Sequence, residues 1–189
     1  MLDPVVIQAA LADHPPRVID RGVLRPAAVL VPLYWKKDQE VLLFTLRTDH
    51  LPDHAGEISF PGGRQDEGDA SLEETALREA EEEMGIRPAD VCILGRLDDF
   101  VSVYGYHVTP FVGSLPWPYP FRANPSEIAE VIEVPLERLC DPAVFHMENW
   151  EHKGRLHPVG FFTIDHHQIW GLTAAILRQF LQRIGVIGF

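Results

Sequence analysis

Cysteine is scarce. The chain has two, Cys92 and Cys140, so neither a disulfide framework nor a cysteine-rich zinc site can be assembled. A reducing compartment, and with it the cytoplasm, is the expected location. Basic residues are also in deficit: 16 Lys plus Arg stand against 28 Asp plus Glu, a net charge of -12. That balance argues against broad electrostatic binding to nucleic acid or to an anionic membrane surface. A small anionic ligand held locally stays compatible, above all with a cation between ligand and protein. No apolar run approaches the roughly 18 residues of a spanning helix. The N-terminus has no basic stretch followed by an apolar one, so no signal peptide is expected. Internal repeats, low-complexity tracts and linkers are missing too. One domain over residues 1–189 is therefore expected, at roughly 100–200 residues per domain.

What is present is a globular pattern. Hydrophobic residues make up 46% of the chain, enough to build a core without cross-links. Asp3-Pro4 reads as an N-cap with Pro in the first turn, opening a short helix that His14-Pro15-Pro16 ends. Ala27 to Tyr34 is an apolar strand. A turn at Asp38-Gln39 leads into a second strand, Val41 to Arg47, giving a hairpin. Glu57 to Phe60 is a short strand before a Gly62-Gly63 turn. Ser71 with Glu74 is a capping box, and the helix it opens stops at Gly85. Strands are expected at Val91 to Leu97, Tyr106 to Gly113, Ile128 to Val134 and His157 to Thr163. The four prolines between Leu115 and Pro125 mark an irregular loop. Trp170 to Ile184 is an amphipathic helix. The expected architecture is α/β, one mixed sheet covered by helices on both faces.

The densest chemical signal is Arg78-Glu79-Ala80-Glu81-Glu82-Glu83-Met84-Gly85-Ile86. Glu79, Glu82 and Glu83 fall within an arc of about 100° on the helix. Glu79 and Glu83 border the apolar stripe of Leu72, Ala76, Leu77, Ala80 and Met84. Like charges half-turned toward a core repel one another and resist desolvation. A divalent cation such as Mg²⁺ or Mn²⁺, which prefers carboxylate oxygen, relieves both penalties. An acidic solvated face is the plainer alternative. The preceding Phe60-Pro61-Gly62-Gly63 favours the cation, because adjacent glycines let backbone approach a ligand closely.

Residues 63–86 resemble the Nudix box: a glycine, an acidic loop, then Arg-Glu-apolar-x-Glu-Glu-x-Gly-apolar. Arg78, Glu79, Ala80, Glu82, Glu83, Gly85 and Ile86 fill every defined position of its last part. Asp69 stands where an early Glu is usual, and the stretch from Asp69 to Arg78 is one residue longer than the common spacing. The resemblance implies an α/β/α sandwich with a mixed sheet between helices. It also implies hydrolysis of a nucleoside diphosphate linked to another group, with Mg²⁺ or Mn²⁺ as cofactor. Leu43 to Thr48, Gly56 and Phe60 to Gly63 are similar to the stretch before the box in coenzyme A pyrophosphatases. Ala27 to Pro32, Val108 to Val112 and Ile169 to Ala174 resemble that subfamily too. Pro52 stands where its members commonly carry Arg. Coenzyme A, cleaved to 3′,5′-ADP and 4′-phosphopantetheine, is the substrate this implies. ADP-ribose and NADH are the alternatives, and neither nucleic acid nor membrane is an expected partner.

Roles follow. Glu79, Glu83 and Glu82 are the expected metal ligands, and by resemblance the Gly63 carbonyl adds one more. Arg78 pairs with Glu74 or steadies a box carboxylate. Arg47 and Arg64 either reach substrate phosphates or are solvated charges. The catalytic carboxylate is sought among Glu82, Glu127 and Glu130; the last two follow the Pro-rich loop and each also reads as a surface residue. Trp117, Tyr119 and Phe121 either stack on an adenine or anchor their own loop. None of the nine histidines shows metal-ligand spacing with a supporting group. His50 and His54 sit in a loop, and His166-His167 read as capping or surface residues before the last helix. Trp170 and Phe180 are assigned to packing of that helix.

Overall fold

The Asp3 carboxylate accepts the Val6 amide at 2.8 Å and starts α1 (Pro4–Ala12). Pro4 occupies the first turn, where its missing N–H removes no helical bond. This computed structural model describes residues 2–50, 55–152 and 154–189. Pro52 and His54 lie outside the described residues.

β1 (Arg25–Lys36) and β2 (Gln39–Arg47) form the expected hairpin, closed by the pair Lys36 and Gln39. The turn falls one residue earlier than expected. Lys37 and Asp38 are its central residues, both at positive φ, the hand that matches strand twist in a two-residue hairpin. β3 (Ile58–Ser59) pairs with β2. The Gly62-Gly63 turn is instead a short strand, β4 (Gly62–Arg64), antiparallel to β1. Its glycines are needed for room: a Cβ on Gly62 would lie 2.4 Å from the Ala28 carbonyl and 2.6 Å from Val29 Cα.

In α2 (Leu72–Met84) the Ser71 hydroxyl accepts the Glu74 amide at 3.1 Å, as expected. The reciprocal bond goes one residue back, from the Ala70 amide to the Glu74 carboxylate. β5 (Cys92–Arg96), β6 (Phe100–Val101) and β7 (Tyr106–Ser114) follow, then β8 (Ile128–Pro135) and the short α3 (Leu136–Leu139). β7 runs parallel to β1, and β8 runs antiparallel to β2. The chain continues through β9 (Phe145–His152), β10 (Arg155–Ile164), β11 (His167–Trp170) and α4 (Gly171–Arg183). β6, β9, β11 and α3 are additions to the sequence reading, and Trp170 ends a strand as the N-cap of α4.

The large mixed sheet has the order β3-β2-β1-β7-β5, with β4, β6 and β8 sharing the edges of β1, β7 and β2. A second sheet has the order β11-β10-β9. On one face Ala28, Leu30, Tyr34, Val41 and Leu43 pack against Ala76, Ala80, Met84 and Ile86 of the α2 region. On the other, Val31, Leu33, Leu42 and Phe44 pack against Ile7, Leu11, Leu177 and Phe180. Helices thus cover both faces, as expected. Among the described residues, no helix is long and apolar enough to cross a membrane.

Candidate active site

The inward tilt of the acidic helix separates its three glutamates. Glu83 is 2% exposed, while the side chains of Glu79 and Glu82 are 17% and 58% exposed. Glu83 lies under the end of β2, where Arg47 Nη1 stands 3.3 Å from its Oε1. Its other oxygen, Oε2, is buried without a hydrogen-bond partner, and so is Arg47 Nε. Burial pushes the Glu83 carboxyl up to about 8. Arg47 opposes that rise, and the charges of Glu79 and Glu127 add to it. Glu79 is raised for the same first reason, with Arg78 pulling it back.

β4 brings the glycine pair against this helix. A Cβ on Gly63 would stand 2.4 Å from Glu79 Oε1. The Gly63 backbone and the Glu79 carboxylate are therefore in contact only because residue 63 has no side chain. Arg64, next in β4, is exposed.

Arg78 ties these parts together. It donates to Glu79 at 2.9 Å, to Glu82 at 3.1 Å and to the Arg64 carbonyl at 3.0 Å. Its Nε and Nη2 also bind the two oxygens of Asp69, at 3.0 and 3.1 Å. Of the two expected structural roles, steadying a box carboxylate is the one seen; Glu74 is engaged as a helix cap instead. Asp69 further accepts from Thr75 Oγ1 and the Asp66 amide. Hydrogen bonding from Arg78, chiefly, holds its carboxyl down at about 2. The one-residue-longer spacing thus ends in a buried anchor for Arg78. The sequence signal for it was the oddly placed acid itself.

The pleat of β8 places one of the two late carboxylates. Side chains alternate along a strand. In β8 Ile132 and Val134 face the core away from α2, whereas Val131 packs on the α2 side. Glu130 shares parity with Ile132 and so faces away from α2; its Oε2 lies 3.4 Å from His167 Nε2. Glu127, three residues earlier, lies in the field of Glu83 and accepts from Asn124 Nδ2 at 3.2 Å. The structure does not bring Glu130 to the box, which corrects its place among the catalytic candidates.

The Pro-rich loop holds Glu127 in register with the helix. The Arg122 amide donates to the Met84 carbonyl at 2.8 Å and the Asn124 amide to the Glu83 carbonyl at 2.9 Å. These bonds fill the open carbonyls of a helix end. The loop's aromatics anchor it: Trp117 stacks on Tyr34 at 4.7 Å with Lys36 on the ring, and Phe121 packs near both Tyr34 and Tyr119. Phe180 is fully buried, whereas Trp170 joins Trp150 and Phe161 beside the second sheet.

The donors the box offers are oxygens: Glu79 and Glu83 with the Gly63 backbone beside Glu79, and the more exposed Glu82; among the described residues the three carboxylates do not close into one tight cluster. Hard divalent ions such as Mg²⁺ and Mn²⁺ take such donors. The unpartnered Glu83 Oε2 is a buried acceptor left for a ligand to satisfy, so the residues present fit such an ion.

Comparison with known proteins agrees with this geometry. Residues 24–155 match the NUDIX domain. The chain is 43% identical over 162 residues to an uncharacterized Nudix hydrolase, NudL, from Yersinia pestis (strain Pestoides F), covering 86% of this chain and 81% of the relative. Similar solved folds include a MutT protein from Methanosarcina mazei Go1, with TM-score 0.53 and 19% identity over 90% of this chain and 94% of that one. A MutT/nudix family protein from Enterococcus faecalis gives TM-score 0.54 and 17% identity over 92% and 72%.

Proposed function

The chain belongs to the Nudix family, and from that premise we propose that it cleaves coenzyme A at the pyrophosphate, giving 3′,5′-ADP and 4′-phosphopantetheine. At the coarser level it is a Nudix hydrolase for a nucleoside diphosphate derivative. The observation that carries a pyrophosphate substrate is the meeting of opposite charges at one spot. Glu83, with an unpartnered buried oxygen, lies 3.3 Å from the Arg47 guanidinium. Carboxylates there suit a cation, and the arginine suits a phosphate. Coenzyme A in particular rests on the resemblance of Leu43 to Thr48, Gly56 and Phe60 to Gly63.

Held by Glu79, Glu83, Glu82 and the Gly63 carbonyl, Mg²⁺ or Mn²⁺ would supply neutralisation of charge on the pyrophosphate oxygens. The protein's own groups do the rest. Arg47 and the exposed Arg64 bind phosphates, Arg64 from the rim. Arg78 fixes Glu79 and Glu82 so that the carboxylates do not swing apart. Glu127 takes the proton of the attacking water. The water oxygen bonds to one phosphorus, and the bridging oxygen leaves with the other phosphate.

The test is kcat/KM for coenzyme A, dephospho-coenzyme A, ADP-ribose and NADH with the same metal, with products identified by mass. Coenzyme A should exceed dephospho-coenzyme A by roughly 10- to 150-fold, the worth of one charge-assisted contact to the 3′-phosphate. Arg64→Ala should erase part of that preference and spare the chemical step. If ADP-ribose or NADH comes within a few-fold of coenzyme A, the coenzyme A reading fails and the coarser hydrolase remains.

A further inference from the structure

Along β8, beside the turn between β10 and β11, a cavity of about 330 Å³ is lined by Glu130, Arg138, Asp165, His166 and His167, among others. Nothing in the proposed hydrolysis uses it. The ligand-capable atoms of Glu130, His166 and His167 all lie within 4.8 Å of one another. We infer that these three side chains form a second cation site, distinct from the glutamate box, for a divalent transition ion of the zinc class.

Donor chemistry separates the two sites. The box offers oxygen alone, whereas this cluster offers two imidazoles and one carboxylate. Imidazole suits zinc and its neighbours rather than Mg²⁺, and two His with one Glu leave a fourth position for water. Geometry agrees. In a tetrahedral site with bonds near 2.05 Å, donor atoms stand about 3.3 Å apart. His167 Nε2 and Glu130 Oε2 are 3.4 Å apart. The His166 and His167 ring centroids are 4.0 Å apart, and the exposed His166 ring has room to turn its nitrogen inward.

The backbone holds the set in place. His166 belongs to the two-residue turn between β10 and β11, whose flanking pair is Ile164 and His167. Consecutive strand residues would face opposite ways; the turn is what lets these two rings meet. Asp165 takes positive φ there, and Arg138 clamps its carboxylate at 2.7 and 2.9 Å. That pairing also neutralises the arginine that lines the same cavity. Glu130 comes from β8 in the large sheet. An ion at this point therefore staples the β10–β11 hairpin of the small sheet to the large one.

The experiment titrates Zn²⁺ into the full chain with the box saturated by Mg²⁺. Wild type should bind one equivalent, and Zn²⁺ should raise its unfolding midpoint. The His166→Ala/His167→Ala variant should lose both effects while keeping its metal-free midpoint and Mg²⁺-supported turnover. A Glu79→Gln/Glu83→Gln variant should keep the Zn²⁺ equivalent. Co²⁺ in place of Zn²⁺ on wild type should give the strong visible absorption of a four-coordinate ion, a reading that needs no variant. The inference is overturned if wild type takes up no Zn²⁺ under Mg²⁺, if uptake persists in the histidine variant or vanishes in the glutamine one, or if bound Co²⁺ shows only weak six-coordinate bands. Loss of Zn²⁺ uptake in the glutamine variant alone would return the metal to the box, whatever the substrate panel shows.

Discussion

Replacing Asp69 by Asn keeps its shape and removes its charge. The wild-type carboxylate accepts two bonds from Arg78, at 3.0 and 3.1 Å, and one from Thr75 at 2.9 Å. Its side chain is only 5% exposed, so solvent screens these bonds little. The pKa falls from its ordinary 3.8 to about 2, which at about 1.4 kcal/mol per pKa unit is on the order of 2–3 kcal/mol of stability. The native carboxyl binds protons less tightly than the unfolded one. Its contribution is therefore complete above about pH 4 and disappears as pH falls toward about 2. Asp69→Asn should cost about 2–3 kcal/mol in urea denaturation near pH 7, and the difference from wild type should narrow steadily below about pH 4. Because Arg78 also holds Glu79 and Glu82, turnover should fall along with stability. A cost below about 0.5 kcal/mol at neutral pH would refute the reasoning, as that is the level of an ordinary surface substitution. So would a cost that stays the same at low pH.

Glu83→Gln or Glu79→Gln should lower kcat at least ~10²-fold at saturating metal, while the urea midpoint holds or rises because an amide is cheaper to bury than an ionisable carboxyl. The two glycines should separate fold from site. In Gly62→Ala the new Cβ meets β1 backbone at 2.4 Å, costing at least ~1–3 kcal/mol of stability by overpacking. In Gly63→Ala its three nearest neighbours are the atoms of the Glu79 carboxylate, so circular dichroism and midpoint should hold while metal-dependent turnover collapses. Glu127→Gln should lower kcat by ~10²–10⁴-fold with metal affinity nearly intact; Glu130→Gln should leave kcat within a few-fold, and equal effects at both positions would undo the assignment made from the strand pleat.

Local signals carried most of the fold. Asp3-Pro4, Ser71 with Glu74, and Gly85 are caps whose chemistry acts within a few residues, and each helix boundary they mark is present. The β1–β2 hairpin was legible from two apolar runs around a short turn. β9 was not, because Phe145 to His152 mixes aromatic and charged residues on a strand that is largely exposed. β11 was hidden behind His166-His167, which look like a helix entry until the Asp165 turn is seen. At the site, helix periodicity ranked Glu83 and Glu79 as the inward pair. Arg78 was readable as steadying a box carboxylate, but its anchor Asp69 was not, since that acid lies in the loop between β4 and α2. Glu127 and Glu130 looked alike because the choice depends on which residues of β8 face α2. The Glu130, His166 and His167 cluster joins strands of two sheets, and no spacing in the chain announces it.

The Pro-rich loop divides where its backbone begins to bond to the box helix. From Trp117 to Phe121 it is held largely by rings, Trp117 on Tyr34 and Phe121 beside Tyr119. From Arg122 onward its amides bond the Met84 and Glu83 carbonyls, and the Thr48 amide closes onto the Glu127 carbonyl. Chain length is therefore negotiable in the first part and fixed in the second. An extra residue near Trp117 bulges outward into solvent, at the modest entropic cost of a longer loop. The same residue inserted between Asn124 and Glu127 breaks the bond from the Glu127 amide to the Asn124 carbonyl and displaces the late carboxylate from its place beside Glu83. For anyone grafting a new substrate loop onto this protein, the splice belongs before Arg122.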